Sequence, residues 1–388
     1  MNNISAINNL YKKFKKEQKY YIGIQHSQKI KYSNIINKFS DIHINNIADP
    51  FFPPNINIDP NTYFFERECI KTYGKWIGIS PKNVWGICTN SGSESCLYGV
   101  TYGKKYFSDK SPYVIISNDS HYILERYCNL LKLNLILCDV NEYDEIDTNA
   151  FKNIIINNKN LFIKNGLIII LTLGTTIKGG YDNLSEINKI MDTEYKNDYY
   201  LHLDACLGGL ILPFLDNNPI NYKQNKFNSI SVSGHKMLGT PYPTGMFITT
   251  LNNKLHNSSN YTSKDDGALF CSRNGQSILY LYMYLCQKNS FNERKKDVLY
   301  CIKLRDYFIK KLKENNIPFF CNLESNGSLC IYFYKKTINK KLIDKYHLVY
   351  NNIYFHIYIM PHVKKNILNK FIKDYKKYYN LFLFRNRL

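Results

Sequence analysis

Short apolar segments alternate with amphipathic stretches through the middle of the chain. Segments bounded by glycine, proline, asparagine or serine have the pattern of buried strands, and six of them lie at residues 113–117, 134–138, 167–173, 200–204, 229–233 and 246–250. Helical periodicity covers most of the sequence between them, at about 93–107, 121–131, 184–195 and 275–289. Strands that alternate with helices predict βα units and a mostly parallel sheet.

The pattern changes after a long helical stretch at about 292–314. Strand-like segments at 328–334 and 353–360, followed by a helix at about 363–378, predict a small α+β domain. Before the first strand, the proline-containing stretch 49–54 ends a segment that we expect to lie as an arm over the body of the protein or over a partner subunit. The predicted division is an N-terminal arm at 1–60, a large domain at 61–290 and a small domain at 291–388.

The composition is that of a globular protein with a sizeable core. Of 388 residues, 44% are hydrophobic and 21% are charged, which excludes the disordered, collagen-like and coiled-coil classes. The apolar runs are far below the ~18 residues that cross a bilayer, and the N-terminal residues lack the apolar run of a signal peptide. Eleven cysteines without a CxxC pair favour reduced buried thiols over disulfides or zinc. We therefore expect a soluble, cytoplasmic protein with no metal cofactor and no membrane partner.

The net charge of +20 suggests a nucleic-acid or anionic-surface partner. Most of the basic residues are lysine, however, and the chain is also rich in asparagine, isoleucine and tyrosine. These four residue types share A/T-rich codons, so base bias in the genome is the simpler source of the charge. We expect no nucleic-acid partner and keep a non-catalytic basic binding protein as a remote alternative.

Two predicted strand ends carry residue types that suit an aldehyde cofactor. Lys236 follows the strand at 229–233, where a lysine can form a Schiff base if its pKa is depressed or an aldehyde is bound beside it. Asp204 ends another strand, at the edge where ligands of open α/β sheets gather. Such an acid can hold a pyridinium proton, which is what pyridoxal phosphate chemistry needs. Alone, Lys236 reads as a solvated side chain and Asp204 as a helix N-cap, so the prediction rests on the pair.

Three further segments place polar side chains at strand or helix ends. Residues 91–93 (Ser-Gly-Ser) precede a predicted helix and can form a phosphate-binding turn, a capping box of Ser91 with Glu94, or both. His121 follows a strand and can stack on an aromatic cofactor or transfer a proton, although a lone histidine is more often structural. Thr176 lies in a turn where hydroxyls reach cofactor oxygens or only close the turn.

The candidate residues belong to six segments in a fixed order: TNSGSES (89–95), NDSHY (118–122), LTLGTT (171–176), YYLHLDACLGGLILPF (199–214), SVSGHKMLGTPYPTG (231–245) and CSRNG (271–275). This set resembles the group II pyridoxal-phosphate-dependent amino-acid decarboxylases, and within them the short histidine decarboxylases and their serine decarboxylase relatives. The resemblance extends from about residue 45 to residue 361. It implies the aspartate-aminotransferase-like fold type I and a homodimer with active sites at the subunit interface.

The resemblance also implies roles for individual residues. Lys236 matches the lysine that forms the internal aldimine, and Asp204 matches the acid that pairs with the pyridine nitrogen. His121 matches the histidine over the cofactor ring, and Tyr261 is a candidate proton donor to Cα beside His121 and Lys236. The other matching cofactor contacts are Ser91, Gly92, Ser93, Thr176, Ala205, Ser233, His235 and, near the dimer interface, Ser272.

Some positions depart from the resembled pattern. Residues 91–96 read SGSESC where the short decarboxylases usually carry GGTEGN, and Thr244 stands where a cysteine is usual. Residues 268–271 (Ala-Leu-Phe-Cys) replace a polar, threonine-containing stretch. The last two departures bear on the substrate rather than on the cofactor. The resemblance thus implies a carboxy-lyase that converts histidine to histamine and carbon dioxide. Ethanolamine-forming serine decarboxylation, or another pyridoxal phosphate reaction on this scaffold, is the alternative.

Overall fold

The computed structural model describes residues 3–53, 59–108, 110–257, 265–324 and 327–385. These residues form two compact units. The larger unit contains residues 30–176 and 180–295, and the smaller unit contains the residues before 30, residues 177–179 and the residues after 295. The predicted domain boundaries at residues 60 and 290 stay predictions.

The strands are β1 (Asn45–Ile47), β2 (Val84–Thr89), β3 (Tyr113–Ser117), β4 (Asn134–Cys138), β5 (Leu167–Thr172), β6 (Tyr200–Asp204), β7 (Ser229–Ser233), β8 (Gly245–Thr250), β9 (Ser272–Asn274), β10 (Cys330–Tyr334), β11 (Val349–Tyr350) and β12 (Tyr354–Tyr358). The helices are α1 (Asn3–Glu17), α2 (Ser33–Ile36), α3 (Tyr63–Trp76), α4 (Gly92–Tyr106), α5 (Tyr122–Leu130), α6 (Thr148–Asn157), α7 (Lys159–Asn165), α8 (Leu184–Ile190), α9 (Gly234–Met237), α10 (Gly275–Leu285), α11 (Ser290–Glu314), α12 (Lys340–Tyr346) and α13 (Lys365–Arg385).

A seven-stranded sheet lies at the centre of the larger unit. Its order is β2-β8-β7-β6-β5-β3-β4, and neighbouring strands are parallel except where β8 pairs with β2 and β7. Every residue of β2, β5, β6, β7 and β8 is buried, which requires cover on both faces of the sheet. Helix α4 packs on β6, β7 and β8, and α3 packs on β2. The predicted α/β fold with a mostly parallel sheet is confirmed.

All six apolar segments that were predicted to be strands are strands, with ends that agree within one residue. The helices α6 and α7 were not predicted. Three consecutive isoleucines at 154–156 favour a strand by their β-branched side chains. The carboxylate of Asp147 caps α6 by accepting from the N–H groups of Asn149 and Ala150, and Phe151 and Ile155 are buried. The cap and the packing outweigh the local preference.

The smaller unit contains an antiparallel sheet with the order β10-β12-β11, together with α1, α12, α13 and most of α11. His356 on β12 is buried, and its ring joins two distant segments of the unit. Its Nε2 lies 2.9 Å from the carbonyl oxygen of Gly23, and its Nδ1 lies 3.1 Å from that of Ile177. The predicted small α+β arrangement at the C-terminal end is confirmed. Among the described residues, no helix combines the length and the apolar composition needed to cross a lipid bilayer.

Candidate active site

The carboxyl ends of four parallel strands meet at one edge of the large sheet. In the sheet register, Thr172 at the end of β5 pairs with Asp204 at the end of β6, and Asp204 pairs with Ser231 on β7. On the other side of β5, Ser120 in the turn after β3 lies 3.0 Å from Thr172 through their hydroxyl oxygens. The edge therefore gathers polar side chains at the place that the sequence predicted.

Asp204 is buried, and a backbone N–H two residues later holds its carboxylate. The residue is 6% exposed, and its Oδ1 accepts a hydrogen bond of 3.2 Å from the N–H of Cys206. Ala205 is fully buried, and its N–H donates to the carbonyl oxygen of Ser231 at 3.0 Å. The carboxylate thus occupies a fixed position in a setting with little water, where an opposite charge is held strongly.

Lys236 lies in the short helix α9, which begins directly after β7, and its side chain is half-buried. The turn before it is tight, since a Cβ on Gly234 would lie 2.5 Å from Thr244 Oγ1. His235 Nδ1 lies 3.0 Å from the carbonyl oxygen of Thr244 and 3.2 Å from its nitrogen. Thr244 Oγ1 also lies 2.9 Å from Thr240 Oγ1. The threonine at the position where cysteine is usual therefore supports the lysine turn.

His121 is the N-cap of α5, and this role sets its tautomer. Its Nδ1 accepts a hydrogen bond of 3.2 Å from the N–H of Ile123, so the neutral ring carries its proton on Nε2. Burial lowers the pKa of His121, the charge of Lys236 lowers it further, and the charge of Asp204 opposes the change. His121 is therefore mainly neutral near pH 7.

The N-terminus of α4 forms a cradle beside these groups. Ser91 Oγ caps the helix by accepting from the N–H of Glu94 at 3.1 Å, which is the serine half of the predicted capping box. Glu94 Oε2 accepts from the N–H of Asn90 at 3.0 Å rather than from that of Ser91. A Cβ on Gly92 would overlap Ser233 Oγ and would lie 2.7 Å from Cys206 Sγ. Glycine is therefore needed for the helix end to approach the ends of β6 and β7 so closely. The 15-residue helix directs backbone N–H groups and its dipole into this space, which suits a phosphate.

The remaining predicted cofactor contacts lie in α4, in the loop after β5 and in β9. Ser93 is half-buried in the first turn of α4, and Thr176 is half-buried in the loop after β5. Ser272 is exposed in β9, where its Oγ accepts from Asn45 Nδ2 at 3.2 Å. Strand β9 contacts the segment that leads into the α4 cradle: the N–H of Asn274 donates to Asn90 Oδ1 at 3.3 Å. Tyr261 lies outside the described residues.

A buried polar network below Asp204 was not predicted. His202 is fully buried, with its Nδ1 2.7 Å from Ser229 Oγ and its Nε2 3.1 Å from Ser231 Oγ. Tyr200 donates its hydroxyl to the same Ser229 Oγ at 2.7 Å. Burial lowers the pKa of His202 to about 4. The signal in the sequence was the alternation of polar residues along the two strands, because alternate side chains share one face.

Two buried acids support the edge from outside the site. Asp182 accepts from the N–H of Thr172 at 2.6 Å and from the N–H of Ile146 at 2.7 Å, and burial raises its pKa to about 7. Glu66 pairs with buried Arg273 at 3.0 Å and also accepts from the N–H of Cys88 at 2.9 Å. Neither acid was predicted as a site residue. Asp182 lies in the loop between β5 and α8 and Glu66 lies in α3, and a single acid in a loop or a helix carries no local pattern that marks it.

The residues at the edge fit the cofactor that the resemblance implies. Pyridoxal phosphate needs an acid at its ring nitrogen, an amine at its aldehyde and hydrogen-bond donors at its phosphate. Asp204, Lys236 and the α4 cradle supply these three groups at one edge of the sheet.

Comparison with known proteins gives matches over most of the chain. The pyridoxal-dependent decarboxylase conserved domain matches residues 21–335. Serine decarboxylase 3 of Oryza sativa subsp. japonica is 27% identical over 88% of this chain and 74% of its own length. Histidine decarboxylase of Vibrio campbellii (strain ATCC BAA-1116) is 27% identical over 93% of this chain and 90% of its own length.

The fold also matches solved structures. L-methionine decarboxylase from Streptomyces sp.590 superposes with a TM-score of 0.83 over 96% of this chain and 95% of that chain, at 18% identity. At this identity the likeness shows a shared fold and leaves the substrate open.

Proposed function

The chain belongs to the pyridoxal-dependent decarboxylase family, and we propose that it converts L-histidine to histamine and carbon dioxide. Family membership makes it an amino-acid decarboxylase, a carboxy-lyase, that uses pyridoxal 5′-phosphate. The choice of histidine is the proposal. The observation that supports the reaction most is that Asp204 ends β6 while Lys236 directly follows β7, the parallel neighbour of β6 in the sheet.

We propose a role for each site residue in holding the cofactor. Lys236 would hold its aldehyde, Asp204 its ring nitrogen, His121 one face of the ring and Ala205 the other. The residues proposed to hold the phosphate or other cofactor oxygens are Ser91, Gly92, Ser93, Thr176, Ser233, His235 and Ser272. When bound, the cofactor's ring accepts the electron pair that carbon dioxide leaves on Cα.

The protein's own groups prepare this step in three ways. In the part of the chain that the structure describes, Asp204 accepts the Cys206 N–H at Oδ1, so Oδ2 is available to a ring N–H. The buried setting keeps water from competing for that carboxylate. His121 carries its proton on Nε2 and can donate it to a substrate oxygen or to Cα. Lys236 and Tyr261 are the other proposed proton donors to Cα.

The lengths of the relatives support histidine as the substrate, because this chain covers more of the histidine enzyme than of the serine enzyme. The two relatives named above are both 27% identical to this chain, but the chain covers 90% of the Vibrio campbellii histidine decarboxylase and 74% of the Oryza sativa serine decarboxylase 3. Serine decarboxylation to ethanolamine is the second candidate because the identities are equal.

A product screen tests the proposal. The full chain with pyridoxal phosphate is incubated with each of the twenty amino acids, and released carbon dioxide and amine are measured. Histamine from histidine supports the proposal, and ethanolamine from serine supports the second candidate. Release of a different amine, or amino transfer without carbon dioxide, contradicts both. Lys236→Ala should lose the visible absorption of the bound cofactor, whereas Lys226→Ala, an exposed lysine paired with Asp192, should keep it.

We also propose a homodimer. Helix α1 carries large apolar side chains on one face, and they are between 49% and 67% exposed: Ile4, Ile7, Leu10, Tyr11 and Phe14. Such a face suits burial against a second copy of the chain. Sedimentation should give a dimer for the native chain. Leu10→Asp should weaken the dimer and Lys13→Asp should not.

The cytoplasmic location and the three-part domain division also stay proposals. The location is supported by the eleven cysteines, which are all free thiols.

A further inference from the structure

Two thiols and a carboxylate meet where α4 approaches the end of β6. Cys96 lies in the second turn of α4, and Cys206 follows Asp204 by two residues. The two Sγ atoms lie 3.8 Å apart, although the residues are separated by 110 positions in the chain. One oxygen of Asp204 and both sulfurs all lie within 4.8 Å of one another.

The spacing of these atoms matches the coordination of a soft divalent metal. Tetrahedral Zn²⁺ has Zn–S bonds of about 2.3 Å, and this geometry places neighbouring sulfur ligands about 3.8 Å apart. The observed sulfur–sulfur distance is 3.8 Å. Two thiolates with one carboxylate give three protein ligands, which leaves a fourth position for water.

The local backbone holds this group in place. Cys206 donates its N–H to Asp204 Oδ1, and Ala205 between them donates to Ser231. On the helix side, a Cβ on Gly92 would lie 2.7 Å from Cys206 Sγ, so α4 is already in contact with the thiol. The donors are therefore fixed before any ion arrives, which reduces the ordering cost of binding.

Cys96 is also a departure from the resembled pattern. Residues 91–96 read SGSESC against the usual GGTEGN, so a thiol replaces an amide at position 96. Its sulfur–sulfur hydrogen bond with Cys206 and its burial raise the pKa of the Cys96 thiol well above the ordinary value. Without a metal, Cys96 is an uncharged thiol at neutral pH.

We propose that the cofactor-free protein binds one Zn²⁺ or Cd²⁺ ion through Cys96, Cys206 and Asp204, and that this ion excludes the cofactor. Binding breaks two S–H bonds, releases two protons to solvent and forms two metal–sulfur bonds and one metal–oxygen bond, with no change of oxidation state. Two thiolates, one carboxylate and a divalent ion leave a net charge of −1 at the site. The exclusion rests on the proposed role of Asp204 at the ring nitrogen, whereas metal binding does not.

The experiment uses the full chain after removal of the cofactor, with a phosphine reductant because thiol reductants bind these ions. The chain is mixed with Cd²⁺ and passed over a desalting column. Bound metal is then counted, and the ultraviolet absorption of cadmium–thiolate bonds is recorded. The native chain should keep one ion per chain with this absorption. Cys96→Asn and Cys206→Ala should each bind the ion about tenfold more weakly or worse, since each removes a ligand.

Cys286→Ala is the matched control. Cys286 is a half-buried free thiol whose Sγ lies 3.4 Å from Thr72 Oγ1, and it is not among the three clustered ligands. This variant should bind cadmium as the native chain does. Equal binding by Cys96→Asn and the native chain, no retained metal, or loss of free thiols without metal would each overturn the proposal.

A competition measurement keeps the proposal testable if a variant fails to fold. Native protein preloaded with cofactor should take up no cadmium at this site, and preloaded cadmium should slow cofactor uptake. Metal bound together with the cofactor would contradict the exclusion. If no amino acid is decarboxylated while cadmium still binds through the two thiols, only the proposed function has failed.

Discussion

Replacing His202 tests how the lowered pKa of this buried histidine makes the unfolding free energy of the larger unit depend on pH. The ring is fully buried, with Ser229 and Ser231 at its two nitrogens, and burial lowers its pKa to about 4. In the unfolded chain the pKa of histidine is about 6.5. The folded pKa is the lower one, so the stability contributed by the neutral ring is present above about pH 6.5 and is lost as the pH falls towards about 4.

The size of the effect follows from these two pKa values. At about pH 5 the unfolded chain has taken up nearly a full proton at this position and the folded chain has taken up little. This difference costs the native protein about 2 kcal/mol of unfolding free energy relative to about pH 7.5. His202→Gln removes the titration and imperfectly replaces two buried hydrogen bonds, at a cost of about 1–3 kcal/mol. The variant should therefore be clearly less stable than the native chain at about pH 7.5. The difference between their unfolding free energies should narrow by about 2 kcal/mol at about pH 5.

Tryptophan fluorescence during urea unfolding of the cofactor-free chain measures this gap. Both tryptophans, Trp76 and Trp85, lie in the larger unit with His202, so the signal reports that unit. His43→Gln is the control, because His43 is an exposed histidine of the same unit. It should leave the pH dependence unchanged. A gap between His202→Gln and the native chain that is the same at both pH values would refute the reasoning.

Three further substitutions have expected outcomes. Gly92→Ala forces a Cβ into Ser233 Oγ and should lower the free energy of unfolding, measured by thermal denaturation, by about 1–3 kcal/mol. It should also weaken cofactor binding in a fluorescence titration. Asp182→Asn loses one of two hydrogen bonds accepted from backbone N–H groups and should lower the urea unfolding free energy by about 1–3 kcal/mol. Arg273→Met leaves Glu66 buried without its partner charge and should cost about 3–5 kcal/mol by the same measurement; adding Glu66→Gln should recover part of the loss, and no recovery would contradict this account.

Six of the seven strands of the large sheet were predicted because each is a short apolar run between turn-forming residues, and β2 was not among them. Strands buried on both faces need such runs, so the local pattern of apolar and turn-forming residues marks their positions. The helix α6 was missed because its isoleucines favour a strand locally, and the cap by Asp147 and the packing of the helix decide otherwise. The order of the strands in the sheet also depends on crossover connections that no local pattern records.

The sequence by itself determined the chemistry of the site: Lys236 and Asp204 at strand ends, the turn at 91–93, and the ordered segments that carry the family resemblance. Residue type and distance from a strand end are local properties, so they can be read from the chain. Only the tertiary structure decided which atoms meet. The tautomer of His121 depends on its contact with the α5 backbone. The meeting of Cys96 with Cys206 depends on the strand register and on how closely α4 crosses the sheet, and both are fixed by packing between residues far apart in the chain.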